Sequence, residues 1–162
     1  MLKGIEFFIK RLIRITESAA QRYAVNTPRT LFRENRFNMQ KRKLIRELEL
    51  LIIDEVSMLR ADLLDCIDYT LRHLRRKPKQ PFGGLQILFI GDVLQLPPVV
   101  REQDKQWLKP YYPGFFSFMA RALQNNPPVC IELQKVYRQT DPSFVQLLNR
   151  FRHNQQTKTD NI

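Results

Sequence analysis

The sequence predicts an α/β domain of three layers, a parallel sheet with helices on both faces, and three observations carry that prediction. Leu50-Leu51-Ile52-Ile53 is continuously apolar without alternation, as a strand buried on both faces is, and Leu85 to Ile90 reads as a second buried strand. Between them Leu59, Leu63, Ile67, Leu71 and Leu74 recur at helical spacing, within a helix expected over 59–75. Strand, helix and strand in that order make a right-handed crossover, the unit of a parallel sheet. The logic then repeats. Phe116 to Leu123 reads as a helix and Val129 to Leu133 as a third strand. Asp141-Pro142 opens a last helix through Phe144, Leu147, Leu148 and Phe151, with Pro142 at the first helical position. Sheets of this type usually have more strands, so the sheet is expected to be incomplete within this chain.

The segments upstream are helical but different in character. Residues 3–23 set Ile5, Phe8, Ile9, Leu12, Ile13, Ala19, Ala20 and Tyr23 on one stripe, with the charged residues largely off it. Residues 26–38 are broken by Asn26, Pro28 and Asn35. Met39 to Leu48 is a short basic helix with Asn38 as its expected cap. The expected organisation is an amphipathic helix and linker over 1–35, the α/β domain over 36–154, and a disordered polar tail over 155–162.

Composition narrows the partners. The chain has 162 residues and 43% apolar content, which excludes a fully disordered protein. Lys and Arg number 27 against 16 Asp and Glu, and the net charge of +11 favours a polyanion, either nucleic acid or an anionic membrane surface. The two cysteines, Cys66 and Cys130, each sit in an apolar run, which points to buried reduced thiols rather than a disulfide framework or a zinc site. Lys3, Glu6, Lys10, Arg11 and Arg14 interrupt any signal-peptide core, and no apolar stretch approaches the roughly 20 residues of a membrane span. The cytoplasm is the expected compartment, with no membrane partner.

Three motifs carry chemistry. Asp54-Glu55 follows Leu50-Leu51-Ile52-Ile53 and so stands at the carboxyl end of a buried parallel strand, where such sheets bind ligands. One acid there can hold a magnesium ion through its water shell, and the other can orient or deprotonate an attacking water. A strand that merely ends in two solvated acids has the same pattern. Gly91-Asp92 closes the second strand, and Gln95-Leu96-Pro97-Pro98-Val99 follows on the same edge. A neutral amide at Gln95 can sense a γ-phosphate without adding charge, although an ordinary surface glutamine fits as well. Arg138, in Val136-Tyr137-Arg138-Gln139, can neutralise charge on a transferred phosphoryl group or form a surface ion pair.

Together, Ile52-Ile53-Asp54-Glu55-Val56-Ser57-Met58, then Gly91-Asp92-x-x-Gln95-Leu96-Pro97-Pro98-Val99, then Tyr137-Arg138-Gln139, resemble the Pif/RecD-like DNA helicases of superfamily one, over about Arg36 to Asn154. The resemblance implies a RecA-like P-loop NTPase domain, an ATP hydrolase that translocates on single-stranded DNA with 5′-to-3′ polarity, and roles in DNA repair, recombination and maintenance. It implies Asp54 as the magnesium acid and Glu55 as the water-activating acid of motif II. It makes Gln95 the motif III glutamine that couples γ-phosphate to DNA, and Arg138 the motif IV arginine facing the γ-phosphate. ATP and Mg²⁺ are the implied cofactors. The Pro97-Pro98-Val99 loop is similar to a segment that borders the DNA path.

The pattern departs from the family in three respects, the first being that residues 1–30 do not resemble it. None of the five glycines, Gly4, Gly83, Gly84, Gly91 and Gly114, precedes a Lys-Ser or Lys-Thr, so the phosphate-binding loop is absent from this sequence. A second motor domain is likewise not expected within 162 residues. The expectation is a helicase fragment inactive alone, and the alternative is a non-catalytic nucleic-acid-binding module on the same fold. Two basic clusters, Lys41, Arg42, Lys43 and Arg46, and then Arg72, Arg75, Arg76, Lys77 and Lys79, fit either phosphate contacts or solvated charge. Of the aromatics from Trp107 to Phe118, most are expected in the core, and Trp107 is the candidate for base stacking.

Overall fold

The structure is a computed structural model that describes residues 39–133, 137 and 141–155. The helix read over 3–23, the Asn38 cap and most of the polar tail therefore lie outside the described residues. The chain divides into two compact units, one up to Pro127 and one from Pro128.

In the first unit the order is α1 (Met39–Glu47), β1 (Leu50–Ile53), α2 (Ala61–Leu74), β2 (Gln86–Phe89), α3 (Glu102–Leu108) and α4 (Arg121–Gln124). The two strands pair in parallel with Leu50 opposite Gln86 and Ile53 opposite Phe89, so the predicted crossover is present. Alternate residues Leu51 and Ile53 point into the core, where α2 supplies Leu63, Leu64, Ile67, Leu71 and Leu74. That is the stripe read from the spacing, and burying one such side chain contributes about 1.5–3 kcal/mol. On the opposite face Leu50, Leu88 and Ile90 are exposed, so among the described residues helices cover only one face of the sheet.

Two arginines fasten the amino edge of this sheet. The last carbonyls of a helix have no partner within the helix and need outside donors. Arg75, just past α2, donates from Nη1 to the carbonyls of Ile45 (2.7 Å), Arg46 (3.2 Å) and Leu48 (2.8 Å) at the end of α1. Arg46 of α1 returns the favour, donating from Nε to the Leu74 carbonyl at the end of α2, at 3.0 Å. The loop after α2 folds back along it. Asp68 accepts the Phe82 N–H at 2.6 Å and pairs with Arg72 at 2.7 Å, while Arg75 Nε reaches the Gly83 carbonyl at 2.9 Å. Gly83 has φ +64°, and a Cβ there would lie 2.6 Å from the Leu71 carbonyl oxygen, so glycine is required on both counts.

The carboxyl side is organised by Asp65 of α2. Its oxygens accept the N–H groups of Ala122 (2.9 Å) and Arg121 (3.2 Å), which open α4, and the Tyr112 hydroxyl at 2.8 Å. Burial, with the hydrogen bond to Asp65, holds the Tyr112 phenol far above its ordinary pKa.

Several expectations need correction. The helix predicted over 116–123 is a 3-10 turn, Ser117–Met119, and the single turn α4, with extended Ala120 between them. α3 was not foreseen. The third strand does not form: residues 129–133 are irregular, and Val129, Ile131 and Leu133 are exposed. Pro127 and Pro128 lack the N–H groups a ladder needs, and a β-prone sequence without a strand to pair with stays irregular. Cys130 is consequently exposed, whereas Cys66 is buried as expected.

In the second unit α5 (Pro142–Arg152) begins where predicted. The Asp141 carboxylate accepts the N–H groups of Ser143 (2.8 Å) and Phe144 (3.4 Å), the standard N-cap arrangement. No helix among the described residues is long and apolar enough to cross a membrane.

The two thiols should therefore react differently. Burial, reinforced by Asp62 and Asp65, pushes the Cys66 thiol up to about 12, so almost no thiolate forms near pH 8. Iodoacetamide at that pH should alkylate Cys130 in the native protein and Cys66 only after denaturation, as read by peptide mass mapping.

Candidate functional site at the carboxyl edge of the sheet

Beyond Ile53 the chain turns sharply. Asp54 is exposed, and its Oδ1 accepts the N–H of Glu55 at 2.9 Å. Glu55 is exposed and left-handed, at φ 51° and ψ 43°, a conformation that non-glycine residues adopt only when their surroundings enforce it. It leads into the 3-10 turn Val56–Met58, closed by Met58 N–H to the Glu55 carbonyl at 3.0 Å.

The surroundings that enforce it are visible. The Ile90 N–H donates to the Ile53 carbonyl at 2.9 Å, and the Val56 N–H donates to the Ile90 carbonyl at 3.0 Å. The parallel ladder is thus carried past both strands, and it ties the acidic turn to the exit of β2. Gly91 permits the approach: a Cβ there would stand 2.9 Å from the Val56 nitrogen and 3.2 Å from Val56 Cγ1. On the other side Ser117 Oγ donates to the Val56 carbonyl at 3.0 Å, and the Ala61 N–H donates to the Phe115 carbonyl at 2.9 Å.

After Gly91 a short turn is set by Asp92, whose Oδ1 accepts the Leu94 N–H and whose carbonyl accepts the Gln95 N–H, both at 3.0 Å. Gln95 is exposed on the loop that leaves the same edge as Asp54 and Glu55. In the loop beyond, Pro97 and Val99 are exposed, while Pro98 is buried. Lys41, Arg42 and Lys43 stand on α1, the helix leading into the amino end of β1, and Lys43 lies 3.9 Å from Glu47. Arg138 lies outside the described residues. Trp107 is 55% exposed, as its reading as a non-core aromatic requires.

Two features of the turn escaped the sequence. Arg60 is buried and binds Asp62 through Nε (2.9 Å) and Nη2 (2.7 Å) and Asp104 of α3 through Nη1 (3.0 Å). Burial works against its charge, but the two carboxylates more than offset it and hold the guanidinium pKa above its ordinary value. The Arg-x-Asp spacing was a visible signal for the first pair; nothing in the sequence marks Asp104. Ser57 is also buried, and its Oγ has no hydrogen-bond partner among the described residues.

The fold and the acidic turn define an α/β domain with an acidic pair at the carboxyl edge of its parallel strands, the edge at which such sheets generally bind ligands. The chain belongs to the PIF1-like helicase family, whose model matches residues 24–158. It is 44% identical over 103 residues to the ATP-dependent DNA helicase PIF1 of Saccharomyces cerevisiae, covering 63% of this chain and 11% of that protein. The human PIF1 helicase is 41% identical over 102 residues, covering 63% of this chain and 14% of that one. Two crystal structures of Bacteroides Pif1, one bound to ssDNA and one in complex with ADP-AlF3 and ssDNA, match at TM-score 0.75 and 43% identity. Both matches cover 78% of this chain, and 30% and 29% of those chains. The expected RecA-like fold is thereby established, and the chain spans about a tenth to a seventh of the length of these two curated relatives.

Replacing Gly91 by Ala should force the β2 exit away from Val56. Overpacking of this kind costs about 1–3 kcal/mol, so chemical denaturation should show a lowered midpoint with an unchanged m-value. An unchanged midpoint would mean that the approach is looser than the geometry requires.

Proposed function

We propose that this chain is part of the motor domain of an ATP-dependent DNA helicase, with residues 36–154 as the contributing segment, and that it does not hydrolyse ATP by itself. The observation that carries the reading is the acidic turn: Asp54 and Glu55 exposed at the carboxyl edge and fastened to the exit of the neighbouring strand.

The donor set suits magnesium. Asp54 and Glu55 offer hard oxygens, and among the described residues no cluster of three or more His, Cys, Asp or Glu forms a complete cage. An ion that keeps most of its waters and takes phosphate oxygens needs only one or two such carboxylates. When bound, Mg²⁺–ATP supplies the phosphoryl group and neutralises its charge. Asp54 would hold the ion's water shell. Glu55 would accept a proton from the attacking water, and its left-handed backbone holds it beyond the strand end. The Gln95 amide would contact the γ-phosphate without adding charge, and the Arg138 guanidinium would offset charge developing there.

Single-stranded DNA is the proposed polymer, tracked in the 5′-to-3′ direction. Pro97 and Val99 would border its path, and Lys41, Arg42 and Lys43 are further candidates for phosphate contacts. The ssDNA bound in the Bacteroides Pif1 structure supports this partner. Inactivity alone follows from chemistry: no Gly-Lys-Ser/Thr occurs in the sequence, and losing even one preorganised charge contact costs about a hundredfold in rate.

The test is a chimera in which residues 36–154 replace the matching segment of Bacteroides Pif1. It should hydrolyse ATP in response to ssDNA, and Glu55→Gln should lower that rate by at least about a hundredfold. A folded chimera with no stimulated hydrolysis, or one indifferent to Glu55→Gln, would refute the assignment.

A further inference from the structure

The two basic clusters are separate in sequence, and the fold brings them together. α1 ends just before β1 begins, and the loop after α2 ends just before β2 begins. Because the strands are parallel, both segments meet at the amino edge. The crossed bonds of Arg46 to Leu74 and of Arg75 to Ile45 and Leu48 hold them there. A four-residue strand spans about 13 Å, so this edge lies across the sheet from the acidic turn.

The charge gathered there is positive and in part rigid. Arg75 is fixed by the carbonyls of Ile45, Arg46, Leu48 and Gly83, and these partners orient its charge without cancelling it. Arg46 is likewise held by a carbonyl. Arg76, Lys77 and Lys79 are exposed on the adjoining loop, and Lys43 completes the group. The nearby acids are Glu47, which pairs with Lys43, Glu49, and Asp68, which pairs with Arg72.

The backbone fixes where one of these charges stands. α2 closes with the Arg76 N–H on the His73 carbonyl (3.1 Å) and the Lys77 N–H on the Arg72 carbonyl (3.0 Å). That is the Schellman arrangement, whose left-handed position is ordinarily glycine. Here it is Arg76, at φ 57°. A glycine would sit there without strain, so the arginine is not required by the fold.

We propose that this amino edge is a second nucleic-acid surface, which grips the phosphodiester backbone without reading sequence and is separate from the carboxyl edge. A group of exposed cations, one of them set by backbone geometry, suits the closely spaced phosphates of a nucleic acid. A membrane surface fits less well, because residues 76–80 (Arg-Lys-Pro-Lys-Gln) carry no large apolar side chain to insert among lipids.

The experiment measures binding of the purified chain to a fluorescein-labelled 30-base-pair duplex by anisotropy, over a range of salt and without nucleotide. The triple variant Arg76→Gly/Lys77→Gln/Lys79→Gln should bind at least about tenfold more weakly near 0.1 M salt. Its slope of log K against log salt should flatten by about two to three, since each phosphate contact contributes about 0.9. Arg76→Gly alone should weaken binding while leaving the melting temperature unchanged or higher, which separates lost contact from lost fold. Unchanged affinity and slope in the triple variant would overturn the proposal. So would absence of duplex binding by the wild type, or binding only to phosphatidylserine vesicles. Because no nucleotide is used, failure here is distinguishable from failure of the ATP reading.

Discussion

The structure depends on a ladder that does not stop where its strands stop. Ile90 donates to Ile53, and Val56 donates back to Ile90, so the parallel pairing continues through the peptide groups that flank the acidic pair. Gly91 makes room for the approach, and Ser117 holds the Val56 carbonyl from the other side. A carboxylate on a free loop samples many positions, and its capacity to hold an ion or orient a water is diluted accordingly. Here Glu55 is kept left-handed by bonds on both sides of it. The strain of that conformation, roughly 1–3 kcal/mol, is offset by the surrounding hydrogen bonds.

A second constraint operates at the other end of the sheet. Two helix ends that would otherwise expose their last carbonyls are closed by arginines, each drawn from or beside the opposite helix. Charged donors to carbonyls are stronger than neutral ones, and the exchange fixes α1 against α2 with little apolar surface, since Ile45 is the buried residue of α1. The basic character of this edge is thus partly a by-product of how the helices are closed. Arg76, Lys77 and Lys79 are not accounted for in that way.

What the sequence made legible follows the range of the interactions involved. Leu50 to Ile53 and Leu85 to Ile90 were readable because each is a short, largely apolar run, although among the described residues only one face of each strand is buried or half-buried. Asp141-Pro142 was readable because a helix cap is a local event. α3 was not: it is tied to the first unit in part by Arg60 reaching Asp104 across 44 positions, and no local pattern encodes that pair. Val129 to Leu133 has the composition of a strand, but a strand exists only with a neighbour, and composition does not supply one. The placement of Asp54, Glu55 and Gln95 at the carboxyl edge was readable from residue type and order, and the closeness of Gly91 to Val56 gives physical content to the glycine. The mixed role of the basic residues was hidden: Arg46, Arg72 and Arg75 look like surface charge in the sequence and are structural fasteners in the fold.

The central claim is that the acidic turn is continuous with the strand pair and is not a mobile loop. Native-state amide hydrogen exchange followed by NMR tests it directly at Val56 and Ile90. The account predicts that both amides exchange as slowly as those inside β1 and β2, because opening them requires separating the strands. Exchange at Val56 as fast as at the exposed Leu96 or Val99 amides would contradict it, and the acidic pair would then lack the fixed position on which its assigned chemistry rests.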